Sequence, residues 1–273
     1  MPTRIEWAEE TWNPITGCTP VSEGCDHCYA KRMAYRLAGR YGYPADEPFR
    51  VTFHEDKVDA PLHWRKPRLV FVCSMGDLFH DDVRPEWLAR IMDTMSTWFA
   101  TGDPATEWRH KYLLLTKRPQ NVIPKLEEAT EWADEHLPGD RAWNAWLYAV
   151  DALIPSNIGL GVTVENQWRA EERVPQLLSI PAAFRFVSYE PALGSIDWGY
   201  WPYALDWIIA GAETGPGARS AHDAWFRRTR LACRQTDTPF LLKKINAQGD
   251  RHLDSVIHDE FPDWCMPGKD GDT

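Results

Sequence analysis

Short runs rich in Val, Ile, Leu and Phe alternate along the chain with longer segments of helical period. The runs fall at 50–53, 69–74, 112–116, 158–164, 184–188, 207–211 and 240–245; the amphipathic segments fall at 29–39, 85–100, 119–130, 167–178 and 224–235. Near-continuous apolar runs of this length suit strands buried on both faces, and apolar positions spaced three and four apart suit helices laid over them. Strand then helix, repeated, predicts an α/β chain with a parallel sheet covered by helices.

An open doubly wound sheet and a partial or complete (β/α) barrel both satisfy this alternation, and the polar residues favour the barrel. The run 69–74 leads into Met75, Gly76, Asp77, Leu78, Phe79 and His80, and 112–116 leads into Lys117, Arg118 and Pro119. The run 158–164 leads into Glu165 and Asn166, 184–188 into Tyr189, Glu190 and Pro191, and 207–211 into a loop holding Glu213 and Arg219. Chemistry at the ends of several strands is what a site on the top face of a barrel requires, whereas an open sheet concentrates it at one switch point. The predicted organisation is a barrel-like domain over 1–247, with a helical insertion at about 131–155 where the chain turns acidic and tryptophan-rich. An irregular tail follows over 248–273.

Composition narrows the class. With 273 residues, 44% of them hydrophobic, the chain buries enough surface to fold without disulfide staples, so its six cysteines are free for other work. The net charge of −10 argues against broad binding to a phosphate backbone and leaves room for a local basic pocket. No apolar run approaches the roughly 18 residues of a membrane span and the first ten residues lack a signal-peptide core, so a cytoplasmic location is expected and no membrane partner. Neither G-x-S-x-G nor H-E-x-x-H occurs, which disfavours a nucleophile-elbow hydrolase and a zincin.

Three of the cysteines, Cys18, Cys25 and Cys28, share one polar loop with the spacing C-x6-C-x2-C, ahead of a predicted helix. Three thiolates on one loop can hold three irons of a [4Fe–4S] cube, leaving one open, or three positions of a zinc ion. A structural zinc needs a fourth ligand; His27 is adjacent but awkwardly directed, and Cys73, His54 and His80 are distant candidates. Packing cysteines and a disulfide are the plainer alternatives. Cys73, Cys233 and Cys265 stand apart, with Cys73 expected buried and inert.

Seven ordered blocks, from IEWAEETWNPITGCTPVSEGCDHCYAKRMA through FVCSMGDLFHDDV, LLLTKRP, GVTVENQ, RFVSYEPALG and DWIIAGAETGPGARSAH to PFLLKK, resemble the bacteriophage three-Cys-motif protein family, found in phages and bacteria. The likeness covers about residues 4–245 and implies no particular reaction. The cysteine loop also resembles that of the radical S-adenosylmethionine (SAM) superfamily, whose usual triad is C-x3-C-x2-C before a helix of a partial barrel. The last spacing matches and the first is three residues longer. That second resemblance implies a [4Fe–4S] cluster on Cys18, Cys25 and Cys28, with SAM cleaved reductively to a 5′-deoxyadenosyl radical.

A pocket for SAM needs acceptors for its ammonium and ribose hydroxyls and donors for its carboxylate. Ser74, Asp77 and Glu165 are placed as cofactor contacts, as are Glu213 and Arg219 in the glycine-rich loop; each has an ordinary reading as a cap or a solvated charge. Lys117, Arg118 and Glu190 are the candidate catalytic residues, the two cations suiting a carboxylate or phosphate. One of Lys243 and Lys244 should point into the barrel, His80 after Phe79 is a candidate to assist catalysis on no more than a lone histidine, and His222 reads as a structural residue opening a helix. The expected substrate is unidentified, with a nucleotide or nucleic-acid base compatible with the local cations Lys117, Arg118, Arg219 and Lys243. The rival reading is a noncatalytic protein stabilised by zinc or a cluster and acting with a protein partner. A nuclease- or glycosidase-like barrel using Asp77, Glu165 and Glu190 is the third.

Overall fold

The computed structural model describes residues 5–96, 110–137 and 154–266. Strand β1 (Glu10–Trp12) leads into β2 (Ile15–Thr16), which pairs antiparallel with β3 (Thr52–Phe53), and the cysteine loop and helix α1 (Tyr29–Arg36) lie between those two. The chain then alternates: β4 (Arg68–Val72), α2 (Pro85–Ser96), β5 (His110–Thr116), α3 (Val122–His136), β6 (Ile158–Thr163), α4 (Gln167–Ser179), β7 (Phe184–Tyr189), β8 (Trp207–Ala210), α5 (Asp223–Thr236) and β9 (Phe240–Leu242). A hairpin, β10 (His252–Leu253) with β11 (Val256–Ile257), closes the series.

Seven strands form one sheet in the order β1-β4-β5-β6-β7-β8-β9, and every neighbouring pair is parallel. The sheet curls into a half-barrel flanked by helices. The predicted α/β alternation and partial barrel are present, with two differences at the start of the chain. The run 50–53 lies outside the main sheet, on β2, and the three-residue β1 supplies the sheet's first edge instead. Of the insertion read at 131–155, residues 131–136 complete α3, and 138–153 lie outside the described residues.

The strand period of two sorts the core. Val70, Val72, Tyr112, Leu114, Ile158, Leu160, Val162, Ile208 and Leu242 face the helices, meeting Leu88, Met92, Leu126, Val174 and Phe226. The alternate residues, Leu69, Phe71, Leu113, Phe184, Phe186, Trp207, Ile209 and Leu241, form a second cluster on the other face together with Trp7 and Cys265. On that face β6 carries Gly159 and Gly161, and a Cβ on Gly161 would stand 2.5 Å from the Phe186 ring. The missing side chain is the space the ring fills. Gly161→Val is therefore expected to overpack the barrel interior, costing about 1–3 kcal/mol. That corresponds to a Tm lower by roughly 2–12 °C; an unchanged thermal transition would contradict this account of the inner core.

The segment read as an irregular tail packs against the sheet over its described part. Trp264 stacks on Phe184 with centroids 4.2 Å apart, and Trp207 Nε1 donates to Glu260 O. Leu242 N donates to His258 O and Glu260 N to Phe240 O, so this segment covers the open edge of β9. No helix among the described residues is long and apolar enough to cross a membrane.

Candidate functional site

Continuing the inward-facing period of each strand past its last core residue leads to the polar residues of one cavity. After Leu113 and Leu115 comes Lys117; after Phe184 and Phe186 come Ser188 and Glu190; after Leu241 comes Lys243. All of these line a cavity of about 310 Å³ at the carboxyl ends of the strands, as does Thr163 after Gly161. Trp7, Phe71 and Leu115 form its apolar floor. The opposite wall is the cysteine loop, with Cys18, Cys25 and Cys28 all on the cavity lining and all free thiols.

Local sequence explains how the loop comes so close. Gly17 has φ +89°, and a Cβ there would stand 2.1 Å from Arg50 O; a Cβ on Gly24 would stand 2.4 Å from Glu165 Oε1. Only glycine fits at either point, one for its left-handed backbone and one for the contact itself. Asn13 Oδ1 accepts from Ser74 Oγ and Met75 N, tying the approach to the loop to the end of β4.

Three polar clusters then fasten the loop. At its start, Arg118, 2% exposed, donates from Nη2 to Thr19 O and Oγ1, and from Nη1 to Cys18 Sγ at 3.4 Å and Asp77 Oδ2 at 3.3 Å. The oxygens of Asp77 also accept from Phe79 N, Thr116 Oγ1 and Lys117 N. His80 Nε2 lies 2.8 Å from Thr19 Oγ1. Burial, with Asp77 beside it, pushes the Cys18 thiol up to about 11 against the pull of Arg118.

In the middle of the loop, Glu165 is fully buried and accepts from Ser22 Oγ at 2.6 Å and from Arg173 Nη1 at 3.0 Å, with Lys117 Nζ 3.3 Å away. Glu23 takes a hydrogen bond from Asn166, the residue that caps α4, and pairs with Arg169 at 3.2 Å. At the far end, Glu213 accepts from Arg219 N, Nε and Nη2 and lies 2.8 Å from His27 Nδ1. Burial alone would raise the Glu213 carboxyl, but the Arg219 and His27 hydrogen bonds outweigh it and hold it down at about 2.

Lys117, Arg118, Glu190, Ser74, Asp77 and Glu213 thus line the cavity beside the three cysteines. Glu165 and Arg219 stand behind its lining and hold the loop. Of the two lysines after β9, Lys243 faces the cavity and pairs with Glu190 at 3.0 Å, whereas Lys244 Nζ lies 3.9 Å from Glu6. His222 is the exposed residue at the N-terminal cap position of α5 and packs edge-on against Trp225. Cys73 is buried, with its thiol pushed up to about 12 by desolvation. Asn13, Thr19, Ser22, Glu23 and Arg169 were not singled out from the sequence; the capping position of Asn166 before α4 was the one local signal near them.

The low carboxyl of Glu213 has a pH signature. Its folded value lies below the ordinary 4.5, so its stabilising contribution is complete above about pH 4.5 and is lost as pH falls towards 2. Arg219 keeps 34% of its side chain exposed, which limits the expected cost of Glu213→Gln to about 1–2 kcal/mol. The Tm gap between wild type and Glu213→Gln should be full at neutral pH and close between pH 4.5 and 2. A gap that is constant across this range would contradict the assignment.

As donors, three thiols on one loop suit an iron–sulfur cluster or zinc. Among the described residues no group of three or more His, Cys, Asp or Glu side chains converges at metal-ligating spacing, so the thiols share a cavity without forming a closed cage. No curated protein and no solved structure matches the chain. The loop and the residues that hold it fall within the span, 2–262, that matches the family model described as a protein of unknown function (DUF5131), and the chain belongs to that family.

Proposed function

We propose that the chain is a radical-SAM-like iron–sulfur enzyme, its half-barrel being of the radical-SAM type, in which Cys18, Cys25 and Cys28 hold three irons of a [4Fe–4S] cluster and SAM occupies the cavity. The observation that carries this reading is that three free thiols of one loop line the same cavity as polar residues from the carboxyl ends of the parallel strands. The donor type and number fit a cluster with one iron open to a ligand, provided that the loop tightens around it. When bound, the cluster would supply the electron for reductive cleavage of SAM.

The protein's own residues divide into those that hold the loop and those that face the ligand. Arg118, Glu165 and Glu213 fix the start, middle and end of the cysteine loop. Arg118 also brings a positive charge to Cys18, which opposes the burial and the Asp77 charge that push this thiol up. Lys243 and Glu190 form an ion pair on the cavity wall, with Ser188 donating to Glu190. The pair offers a cation to a ligand carboxylate and an anion to a ligand ammonium. Ser74 and Lys117 complete the polar wall, and Trp7, Phe71 and Leu115 keep water from the floor. The substrate modified is a nucleotide or nucleic-acid base in this reading, and the expected location is the cytoplasm.

The test is release of 5′-deoxyadenosine from SAM by anaerobically reconstituted protein supplied with dithionite. Turnover that depends on reconstitution supports the reading. A fully loaded cluster that leaves SAM intact would point instead to a noncatalytic, cluster-stabilised binding protein.

A further inference from the structure

Between Cys28 and Asp46 the chain carries Lys31, Arg32, Arg36 and Arg40 and no carboxylate, in a protein whose net charge is −10. Helix α1 arranges them. Ala30 and Ala34, one turn apart, are buried against Tyr43 and Met75, so the inner stripe of the helix is small and apolar. The outer face carries Lys31, Tyr35 and Arg36, all exposed, and Arg40 follows, its guanidinium folded back onto Arg36 O at the helix end. None of the four cations forms an ion pair with a described carboxylate. Tyr35 and Tyr41 are 58% and 75% exposed, and neither ring makes a ring contact among the described residues.

This surface begins at the cavity. Tyr29 and Lys31 line the mouth, Tyr29 donates to Ser74 O, and the Arg32 guanidinium lies against Gly215 and Thr214 O across the opening. From there α1 runs outward for about 12 Å at the rise of an α-helix. Unpaired cations interleaved with exposed aromatic rings are the recognition chemistry of a single nucleic-acid strand: the charges follow the phosphates and the rings stack on bases. A duplex is disfavoured, because its denser phosphate charge meets the protein's net charge of −10.

We infer that the α1 face is a docking platform for a single-stranded nucleic acid, leading one nucleotide of the strand to the cavity mouth. The inference deepens the proposed function by naming its substrate class and rests on that reading for the chemistry inside the cavity. The platform itself stands on α1 alone.

The experiment is fluorescence anisotropy of the full chain with labelled single-stranded DNA and RNA of about 15 nucleotides, the length of the larger known strand-binding sites. The duplex of the same sequence and polyglutamate serve as the other probes. Binding of one or both single strands with a salt slope of up to about −3, or a loss of up to about 50-fold from 50 to 200 mM salt, is expected. R36Q/R40Q should reduce that slope by about 1.4. Tyr35→Ala should weaken binding about tenfold. Equal affinity for the duplex, single-strand affinity and slope unchanged in these variants, or binding of polyglutamate alone would overturn the inference. Release of 5′-deoxyadenosine, measured on the same preparation, separates the two failures. Strand binding without SAM cleavage removes the proposed reaction and leaves the platform, and SAM cleavage without strand binding does the reverse.

Discussion

Cys25→Ala is expected to abolish reductive cleavage of SAM while leaving the fold in place. Cys25 ends a single 3-10 turn in the loop, is half-buried, and has Ser22 Oγ 3.8 Å from its sulfur as its one side-chain hydrogen-bond neighbour among the described residues. Removing its thiol costs the protein little packing, because the side chain lines a cavity rather than a core. In the proposed reading it also takes from the cluster one of three protein ligands. The loss of 5′-deoxyadenosine formation should therefore exceed the roughly 10- to 100-fold that follows when a group merely orienting a metal ligand is removed. The Tm of the metal-free protein should stay within about 2 °C of wild type, the shift expected of a substitution worth under 0.5 kcal/mol. Retained activity in Cys25→Ala would remove Cys25 from the ligand set.

Glu165→Ala is expected to have the largest effect on stability. Glu165 is fully buried, and its carboxylate holds Ser22 of the cysteine loop, Lys117 of the cavity wall and Arg173 of α4. Arg173 is itself 2% exposed. Without Glu165 it retains Thr163 O and a 3.6 Å contact with Glu172, an arrangement too weak to compensate a buried guanidinium. Breaking a buried pair from one side costs about 3–5 kcal/mol. For a chain of this size that corresponds to a Tm lower by roughly 6–20 °C. Limited proteolysis within residues 18–28 should accelerate in the same variant, since Ser22 loses its anchor. A Tm within about 2 °C of wild type would show that Glu165 does not bind the loop to the barrel.

Much of the scaffold was legible because it is written in short-range periods. Three of the helices (α1, α4 and α5) begin and end within three residues of where the apolar spacing places them, α2 begins at the expected Pro85, α3 runs six residues past its expected end, and β4 to β9 coincide with apolar runs. Strand β1 escaped because three residues cannot display a period, and because it opens with Glu10, a buried acid neutralised by Arg68 at 2.5 Å. The run 50–53 misled because Val51 and Phe53 are apolar for contact with the helix-side core, while the two-residue strand that Phe53 ends pairs with β2.

The site was legible in the same graded way. Strand-end position singled out Lys117, Glu190 and Glu213, and the period of two decides that Lys243 faces the cavity and Lys244 does not. What the sequence withheld is which charges are engaged. Ser22 meets Glu165 across 143 residues of chain, and His27 meets Glu213 across 186. Contacts of that separation leave no local pattern. For that reason the reading of Glu165 and Arg219 from strand-end and loop position did not include the bonds by which their side chains hold the cysteine loop to the barrel.

The acidic balance of the chain also takes on a sharper meaning. Its negative charge is spread over the molecule, while α1 and the turn after it form a cationic, aromatic strip beside the cavity. Non-specific duplex binding is disfavoured, and one guided strand is the partner this distribution fits.

The most direct test of the account is the metal content of the full chain, purified and reconstituted without oxygen. About four irons and four acid-labile sulfides per chain, with the electron paramagnetic resonance signal of a reduced [4Fe–4S] cluster that changes when SAM is added, is the result the account predicts. Stoichiometric zinc, with no cluster formed under those conditions, would contradict it.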